Sequence, residues 1–286
     1  MEVVRAEVLG FCGGVKRAII LAEQEFRKNA NRPKARLETI GDLIHNKREI
    51  ARLEGLGLHS VDRVGDVSEG STVLIRAHGA EKSDYEALRS RKVEILEGIC
   101  PLVRDIRNKI IEYSEQGYFI LLTGDAEHSE VRGLISFAGE GKVIESPAEA
   151  HEYDIPEEKE KVVLLSQSTW KRETFLQVAE IMRTKRADIL VEDTVCQATL
   201  DRQEALRRLI EQVDAVVVIG GRHSANTQEL FLIARESGLP VWYCADEEDV
   251  PPALGQYERI GLSAGASSPD WLIDKIEEKI LMQADA

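Results

Sequence analysis

The feature that most constrains the fold is a pattern that recurs six times, in which a short, largely apolar run is followed by a polar loop and an amphipathic stretch. The six runs lie at 36–40, 72–76, 118–122, 162–165, 215–219 and 260–262. Such runs are typical of strands buried on both faces, and the amphipathic stretches between them predict covering helices. We therefore predict an α/β fold of parallel sheets with helices on both faces.

Polar side chains follow the ends of these runs. They are His45, His78, His128, Ser168, Thr169, Ser224, Asn226 and Ser267. Ligands of parallel α/β sheets bind beyond the carboxyl ends of the strands, where all of these loops fall, so we expect one shared pocket or several related ones. Taken alone, His45 is better interpreted as a surface or capping residue, and Asn46 is predicted to cap the helix that follows.

Three of the four cysteines share one context, after a strand and before a helix. Cys12 follows the strand-like run 3–8 and lies in a glycine turn. Cys100 comes 88 residues after Cys12, and Cys196 comes 96 residues after Cys100. Each separation is about the size of one small α/β unit. A helix start favours a thiolate over a thiol, and the glycines beside Cys12 let the backbone approach a bulky group. The alternative for Cys12 is a small buried hydrophobe. Cys244 interrupts the spacing and is predicted to be an inert strand residue.

Composition narrows the class of protein. The chain has 286 residues and a formal net charge of −14, which disfavours nucleic acid and anionic membrane surfaces as partners. It contains no apolar run of about 18 residues and no pattern of a signal or transit peptide, so a cytoplasmic location is expected. Four cysteines make a poor disulfide framework for this length, so metal binding or catalysis is the better interpretation.

The cysteine pattern permits two kinds of metal site. Three thiolates from separate units suit zinc or an iron–sulfur cluster. A four-iron cluster with three cysteine ligands leaves one iron open to a substrate oxygen. A structural zinc site more often shows closely spaced pairs, and no CxxC pair occurs, so the sequence favours the cluster only modestly.

The loops supply imidazoles, hydroxyls and an amide rather than a glycine–lysine phosphate loop. Such groups suit a phosphate and would suit a carboxylate almost as well. Glu130 is the carboxylate best placed to move a proton, with Ser168 and Thr169 as relays. The alternative for Glu130 is a solvated acid at a helix start.

Several motifs follow one another in a fixed order along the chain. They are Gly10-Phe11-Cys12-Gly13-Gly14-Val15, Ile44-His45-Asn46, Ala77-His78-Gly79, His128-Ser129-Glu130-Val131, Ser166-Gln167-Ser168-Thr169, Asp193-Thr194-Val195-Cys196-Gln197-Ala198-Thr199 with Arg202-Gln203, Ser224-Ala225-Asn226-Thr227 and Ala264-Gly265-Ala266-Ser267. Together they resemble the motifs of the 4-hydroxy-3-methylbut-2-enyl diphosphate reductase (IspH/LytB) family. Each motif alone is weak evidence. Their order and joint presence are highly specific.

The resemblance implies three similar parallel-sheet α/β units in a pseudo-threefold trefoil around a central [4Fe–4S] cluster. The cluster would be held by Cys12, Cys100 and Cys196. The resemblance also places unit boundaries at 14–100, 101–195 and 196–270, with an N-terminal strand in 1–13 joining the third unit and a C-terminal helix or tail in 271–286.

The implied activity is reductive removal of the substrate hydroxyl as water, giving isopentenyl and dimethylallyl diphosphate in the last step of the methylerythritol phosphate route. The implied diphosphate ligands are His45, His78, His128, Ser224, Asn226 and Ser267. Glu130 would supply the proton with Ser168 and Thr169 beside it, and electrons would arrive singly from a donor such as ferredoxin or flavodoxin.

Two positions depart from the family pattern. Ser168-Thr169 stands where a threonine pair is common, which keeps both hydroxyls, and Ala225 removes one hydroxyl from the phosphate loop. Both bear on binding strength rather than on reaction type. Competing functions are a cluster-dependent hydro-lyase without net reduction, a redox-sensing module, and a sugar-phosphate or nucleotide binder with structural thiols.

Overall fold

The computed structural model describes residues 1–29, 36–222 and 224–285. The strands are β1 (Glu2–Arg5), β2 (Leu37–Ile40), β3 (Leu58–Val61), β4 (Thr72–Ile75), β5 (Glu94–Glu97), β6 (Phe119–Thr123), β7 (Gly141–Ile144), β8 (Val162–Ser166), β9 (Leu190–Val191), β10 (Ala215–Ile219), β11 (Val241–Cys244) and β12 (Arg259–Ala264). The α-helices are α1 (Gly13–Asn29), α2 (Lys47–Gly55), α3 (Lys82–Arg89), α4 (Pro101–Glu115), α5 (Ser129–Ile135), α6 (Pro147–Glu152), α7 (Arg172–Lys185), α8 (Gln197–Ile210), α9 (Ala225–Glu236) and α10 (Asp270–Leu281). Short 3₁₀ turns occupy Val64–Asp66, Glu247–Asp249, Pro252–Gln256 and Met282–Asp285.

The strands form three four-stranded sheets of one topology. The strand orders are β3-β2-β4-β5, β7-β6-β8-β9 and β11-β10-β12-β1. In the first two sheets the chain enters at the second position, adds the first, then the third and then the fourth, and β10, β11 and β12 follow the same order in the last sheet. In the last sheet the N-terminal β1 fills the fourth position and pairs in parallel with β12. The α/β class and the three similar parallel sheets are confirmed.

Alternating side chains explain why the strands are apolar along their length. In β10, Val217 and Ile219 pack with residues of α10, whereas Val216 and Val218 pack with residues of α8 and α9. Successive side chains of a strand point to opposite faces, so both faces of this sheet are covered. Fully burying one such side chain stabilises the fold by about 1.5–3 kcal/mol.

The sheet around β6 and β8 is built in the same way. Leu121 and Leu164 pack with Phe175 and its neighbours on α7, while Ile120 and Leu122 pack with residues of α4 and α5. The predicted runs therefore correspond to strands between two layers of helices.

By contacts the chain divides into two compact units. The terminal unit comprises Met1–Ile20, Ile44–Leu58 and Gln197–Ala286, and the central unit comprises Leu21–Leu43 and His59–Cys196. The strands of each sheet fall inside one of the three predicted α/β units, with β1 joining the third. The predicted boundaries themselves stay a prediction. No helix in the described ranges is both long and apolar enough to cross a membrane.

Candidate functional site

The predicted site residues occupy equivalent places in the three sheets. One cysteine follows the fourth-position strand of each sheet: Cys12 comes after β1, Cys100 after β5 and Cys196 after β9. Polar residues follow the strands at the second and third positions of the sheets. Those after a second-position strand are His45, His128, Ser224 and Asn226. Those after a third-position strand are His78, Ser168, Thr169 and Ser267. The pattern in the sequence thus reflects one arrangement built three times.

In the terminal unit, Cys12 lies at the start of α1. The Val15 N–H donates to Cys12 Sγ at 3.5 Å, and the Cys12 N–H donates to the Ala266 carbonyl at 3.0 Å. Backbone N–H groups at a helix start favour a thiolate. The side chain is only partly buried, so the alternative of a small core hydrophobe is wrong.

Arg202 holds the turn that carries Cys12. Its guanidinium is 3% exposed and donates to the carbonyls of Gly10 and Ala198, both at 2.7 Å. Arg202 belongs to one of the motifs found in the sequence, but the sequence alone assigns it no role. A buried cation bonded to a loop carbonyl stabilises that loop strongly, because hydrogen bonds from charged groups are about twice as strong as neutral ones.

The polar loops of the terminal unit converge through Ala266 and Ser267. The Ser267 hydroxyl donates to the His45 carbonyl at 3.1 Å, and the Ala266 N–H donates to Asn226 Oδ1 at 3.1 Å. Gly265 permits this approach, since a Cβ there would lie 2.0 Å from Thr227 Oγ1. The structure therefore brings His45, Asn226 and Ser267 together with the loop that also binds the Cys12 backbone.

Asn226 has one buried amide donor that lacks a partner among the described residues. The residue is 5% exposed, and its Oδ1 accepts from Ala266, which orients the amide. Within the described ranges, the buried Nδ2 has no hydrogen-bond partner. An unsatisfied buried donor costs about 1–3 kcal/mol, so it indicates a ligand acceptor.

Two helix starts in this unit are capped by predicted polar residues. Ser224 caps α9 by accepting from the Thr227 N–H at 3.4 Å, and Asn46 caps α2 by accepting from the Glu49 N–H at 3.0 Å. The predicted cap at Asn46 is confirmed. Ala225, the position that lacks a hydroxyl, is the exposed first residue of α9.

In the central unit, Glu130 is a buried acid. It is 1% exposed, and Ser168 donates to it twice, from its N–H to Oε1 at 2.6 Å and from its hydroxyl to Oε2 at 2.8 Å. Burial raises the pKa of the Glu130 carboxyl and outweighs the two hydrogen bonds from Ser168, which lower it. The alternative of a solvated acid is wrong.

The two histidines of this unit lie beside each other. The ring centroids of His78 and His128 are 5.6 Å apart and the rings are nearly perpendicular. His128 caps α5, with its Nδ1 accepting from the Glu130 N–H at 3.1 Å. Because Nδ1 is an acceptor, Nε2 carries the ring proton and can donate to an anion.

Backbone hydrogen bonds tie the two cysteines of the central unit to these loops. The Cys100 N–H donates to the Ala77 carbonyl at 2.9 Å, next to His78, and the Cys196 N–H donates to the Ser168 carbonyl at 2.7 Å. Both cysteines are partly exposed, and Cys100 caps α4. Cys244 is instead fully buried, and burial raises the pKa of its thiol to about 12, which fits the predicted inert role.

Gln167 orders the loop that carries Thr169. Its Oε1 accepts from the Asp125 N–H at 3.1 Å and its Nε2 donates to Thr169 Oγ1 at 3.2 Å. Asp125 belongs to the loop that leads to His128, so one amide links two parts of the predicted site. The sequence alone assigns Gln167 no role. Its position between Ser166 and Ser168 is a signal that could have identified it as part of the site.

The chemistry of the donor set bears on the metal that it could hold. Among the described residues, no three His, Cys, Asp or Glu side chains are placed to hold one metal ion. The three thiols at helix starts are appropriate donors for an iron–sulfur cluster, in which each thiolate binds a different iron. Thiolates suit zinc as well.

Comparisons with known proteins agree with the motifs. A model of the LytB protein family matches residues 3–281. The 4-hydroxy-3-methylbut-2-enyl diphosphate reductase of Treponema denticola is 37% identical over 292 residues, covering 98% of this chain and 99% of the relative. The enzyme of the same name from Aquifex aeolicus is 33% identical over 287 residues, covering 98% and 96%.

Solved structures give the same result. One structure of (E)-4-hydroxy-3-methyl-but-2-enyl diphosphate reductase, described as the terminal enzyme of the non-mevalonate pathway, is 33% identical with a TM-score of 0.71 and covers 99% of this chain and 100% of its own. A reductase structure from Plasmodium falciparum supports the fold alone, at 23% identity and a TM-score of 0.88, over 97% of this chain and 87% of its own. The chain matches the family model and these relatives over nearly its whole length, and it belongs to the LytB family.

Proposed function

We propose that this protein reduces 4-hydroxy-3-methylbut-2-enyl diphosphate to isopentenyl and dimethylallyl diphosphate, the terminal step of the methylerythritol phosphate route. The geometry that carries the proposal is a buried carboxylic acid, Glu130, bonded to Ser168, whose carbonyl accepts from the backbone of Cys196. A proton donor is thus linked to a thiol ligand by a single residue. Relatives covering nearly the whole chain carry the name of this reductase.

The proposed cofactor is a [4Fe–4S] cluster held by Cys12, Cys100 and Cys196. All three are partly exposed and located at the end of a loop that opens a helix, unlike the buried Cys244. When bound, the cluster would supply electrons one at a time together with a Lewis-acidic iron. The three α/β units of the sequence analysis, 14–100, 101–195 and 196–270, would each contribute one thiolate.

The overall reaction balances with two electrons and two protons. The carbon–oxygen bond of the allylic alcohol breaks, one carbon–hydrogen bond forms, and the hydroxyl leaves as water. A one-electron donor such as ferredoxin or flavodoxin would supply the electrons, and a cytoplasmic location would suit such a donor.

The proposed diphosphate ligands are imidazoles, hydroxyls and an amide. They are His45, His78, His128, Ser224, Asn226 and Ser267. The buried Asn226 Nδ2 is the clearest support, because within the described residues it lacks a hydrogen-bond acceptor and a phosphate oxygen supplies one. A donor that binds an ionised oxygen makes a charge-assisted hydrogen bond.

Glu130 is the proposed proton source. Burial raises the pKa of its carboxyl, which favours the protonated acid that proton donation requires. The Ser168 hydroxyl, 2.8 Å from Glu130 Oε2, can pass a proton onward, and Thr169 adds a second hydroxyl to this loop. The chain itself therefore binds the diphosphate and delivers a proton.

Anaerobic reconstitution tests the proposal directly. We expect a brown protein with about four irons and four sulfides per chain that converts the hydroxylated diphosphate only when a reduced one-electron dye is present. Product without reductant would indicate a hydro-lyase, and a brown protein without turnover would indicate a redox sensor. A colourless protein that binds sugar phosphates or nucleotides would contradict the cluster.

Replacing Asn226 with aspartate is expected to weaken substrate binding. The variant keeps the Oδ1 acceptor for Ala266 but replaces the unsatisfied donor with a carboxylate that repels a diphosphate. We expect KM to rise by about a hundredfold, since hydrogen bonds to charged groups contribute about 1.5–3 kcal/mol and repulsion adds to that loss. Asn108→Asp, the same change at an exposed site on α4, is the control and should leave KM unchanged. An unaltered KM in Asn226→Asp would remove Asn226 from the diphosphate site.

A further inference from the structure

We propose that Arg76, Arg132 and Ser129 form a second anion site in the central unit, which binds a small phosphate-type oxyanion. They line a cavity of about 230 Å³ together with Ile40, Gly41 and Arg63. None of the residues proposed for the substrate lines this cavity. The site is therefore an addition to the proposed function and does not depend on it.

Arg76 is a half-buried cation that lines this cavity. In the part of the chain that the structure describes, its guanidinium makes no hydrogen bond and no ion pair within 4.0 Å. It lies against Gly41, where a Cβ would come within 2.9 Å of Arg76 Nη1. Removing a cation from water without pairing it is costly, so the position indicates a partner that the polypeptide does not supply.

Two further groups face the same cavity. The buried Ser129 hydroxyl has no hydrogen-bond partner among the described residues. Arg132 contacts Glu81 only loosely, with Nε 3.6 Å from the nearer carboxylate oxygen, and both side chains are about half exposed. An oxyanion would accept from the hydroxyl and from both guanidinium groups, whose planar N–H pairs match its geometry.

Acidic residues also line the cavity and limit the charge of the ligand. They are Asp62, Glu81 and Asp84. Of these carboxylates, Asp84 has the largest electrostatic effect on the pKa of Arg76. Even so, burial together with the nearby Arg132 lowers the pKa of Arg76 by more than Asp84, Asp42 and Glu81 raise it. The surrounding carboxylates therefore do not fully compensate the buried charge of Arg76. Because they are present, a small anion fits the cavity better than a highly charged one.

The cavity volume restricts the size of the ligand. A water molecule occupies about 30 Å³, so 230 Å³ accommodates one tetrahedral oxyanion and a few waters. Pockets for larger ligands usually span about 300–1,000 Å³. The chemical class is thus inorganic phosphate or the phosphate group of a small ester, rather than a nucleotide.

The site connects two loops of the proposed active site. Arg76 is two residues before His78, and Ser129 lies between His128 and Glu130. An anion bound to both would link the segment after β4 to the first turn of α5. Occupation of the cavity is therefore expected to stabilise these two segments.

Calorimetric titration of inorganic phosphate into the anaerobically purified full-length protein tests the proposal. Phosphate also has a second possible destination, the substrate site, so the titration is performed in an Asn226→Asp background that disables that site. In this background we expect one remaining phosphate site, weakened at least tenfold by Arg76→Gln and about threefold by Ser129→Ala. Arg183→Gln, at an exposed position on α7, is the control and should bind phosphate as the background does.

Thermal unfolding separates a ligand-binding arginine from a structural one. Phosphate at ten times its Kd should raise the Tm of the background by about 3 °C and leave that of the Arg76→Gln protein unchanged. Without phosphate, Arg76→Gln should not lower the Tm, because it removes a desolvated charge. Phosphate binding that Arg76→Gln does not weaken, or a background that binds no phosphate, would overturn the second site.

Discussion

Glu130→Gln is expected to lower turnover by about 10²–10⁴-fold, the range that a positioned proton donor contributes, while the protein stays folded and retains its iron. Glutamine has the size of the protonated acid. Its Oε1 can still accept from the Ser168 N–H, which in the parent protein donates to Glu130 Oε1 at 2.6 Å. The amide can donate to the Ser168 hydroxyl but cannot release a proton. Geometry is preserved and proton delivery is lost.

The same substitution should stabilise the fold at neutral pH. The pKa of Glu130 is raised from an ordinary value of 4.5 because burial disfavours the carboxylate. A raised pKa in the folded state means that the unfolded chain releases the proton more readily, so the stability supplied by the neutral acid is complete below about pH 4.5 and is lost as pH rises through the folded-state value. Glutamine stays neutral throughout.

Denaturant unfolding at several pH values checks the direction of this pH dependence of stability. The difference in the free energy of unfolding between Glu130→Gln and the parent should be small at pH 4 and should grow in favour of glutamine towards pH 8. Glu173→Gln, an exposed site on α7, should show neither the activity loss nor the pH-dependent gain. Full turnover in Glu130→Gln would exclude Glu130 as the proton donor, and a gain that is constant with pH would contradict a buried neutral acid.

The main strands could be predicted from the sequence because central strands are apolar on both faces. The run 215–219 coincides with β10, and 118–122 differs from β6 by one residue at each end. Strands β3 and β7 were not predicted. Each is an outer strand of its sheet, and each mixes polar residues or glycine with few apolar ones, as in His59-Ser60 and Gly141-Lys142. Edge strands are half exposed and give a weak pattern.

The positions of the site residues could be predicted, but their environments could not. The rule that ligands bind beyond the carboxyl ends of parallel strands located the polar loops correctly. The burial of Glu130 depends on Ser168, which lies 38 residues away, and the local sequence around Glu130 is polar. The unsatisfied donor of Asn226 likewise follows from its contact with Ala266, 40 residues further along. Contacts over such separations leave no local signal.

The cysteines provide the sharpest test of the cofactor. Cys100→Ser is expected to lower bound iron and sulfide below half of the parent value and turnover below about one thousandth, because a hydroxyl is a much poorer ligand for iron than a thiolate. The thiol is partly exposed, so the substitution should leave the fold intact. Equivalent losses are expected for Cys12→Ser and Cys196→Ser.

Cys244→Ala is the matched control, since it also removes one thiol. Its side chain is fully buried among the residues that pack beside β11 and β12, so the cost should appear in stability, at about 1 kcal/mol, and not in iron content. Iron analysis, visible absorption and turnover measured on all four variants separate the two roles. If Cys100→Ser kept its iron, or if Cys244→Ala lost it, the assignment of three ligands and one structural thiol would be wrong. The expected division follows from position alone, because the three proposed ligands each follow a fourth-position strand and Cys244 ends a strand inside the core.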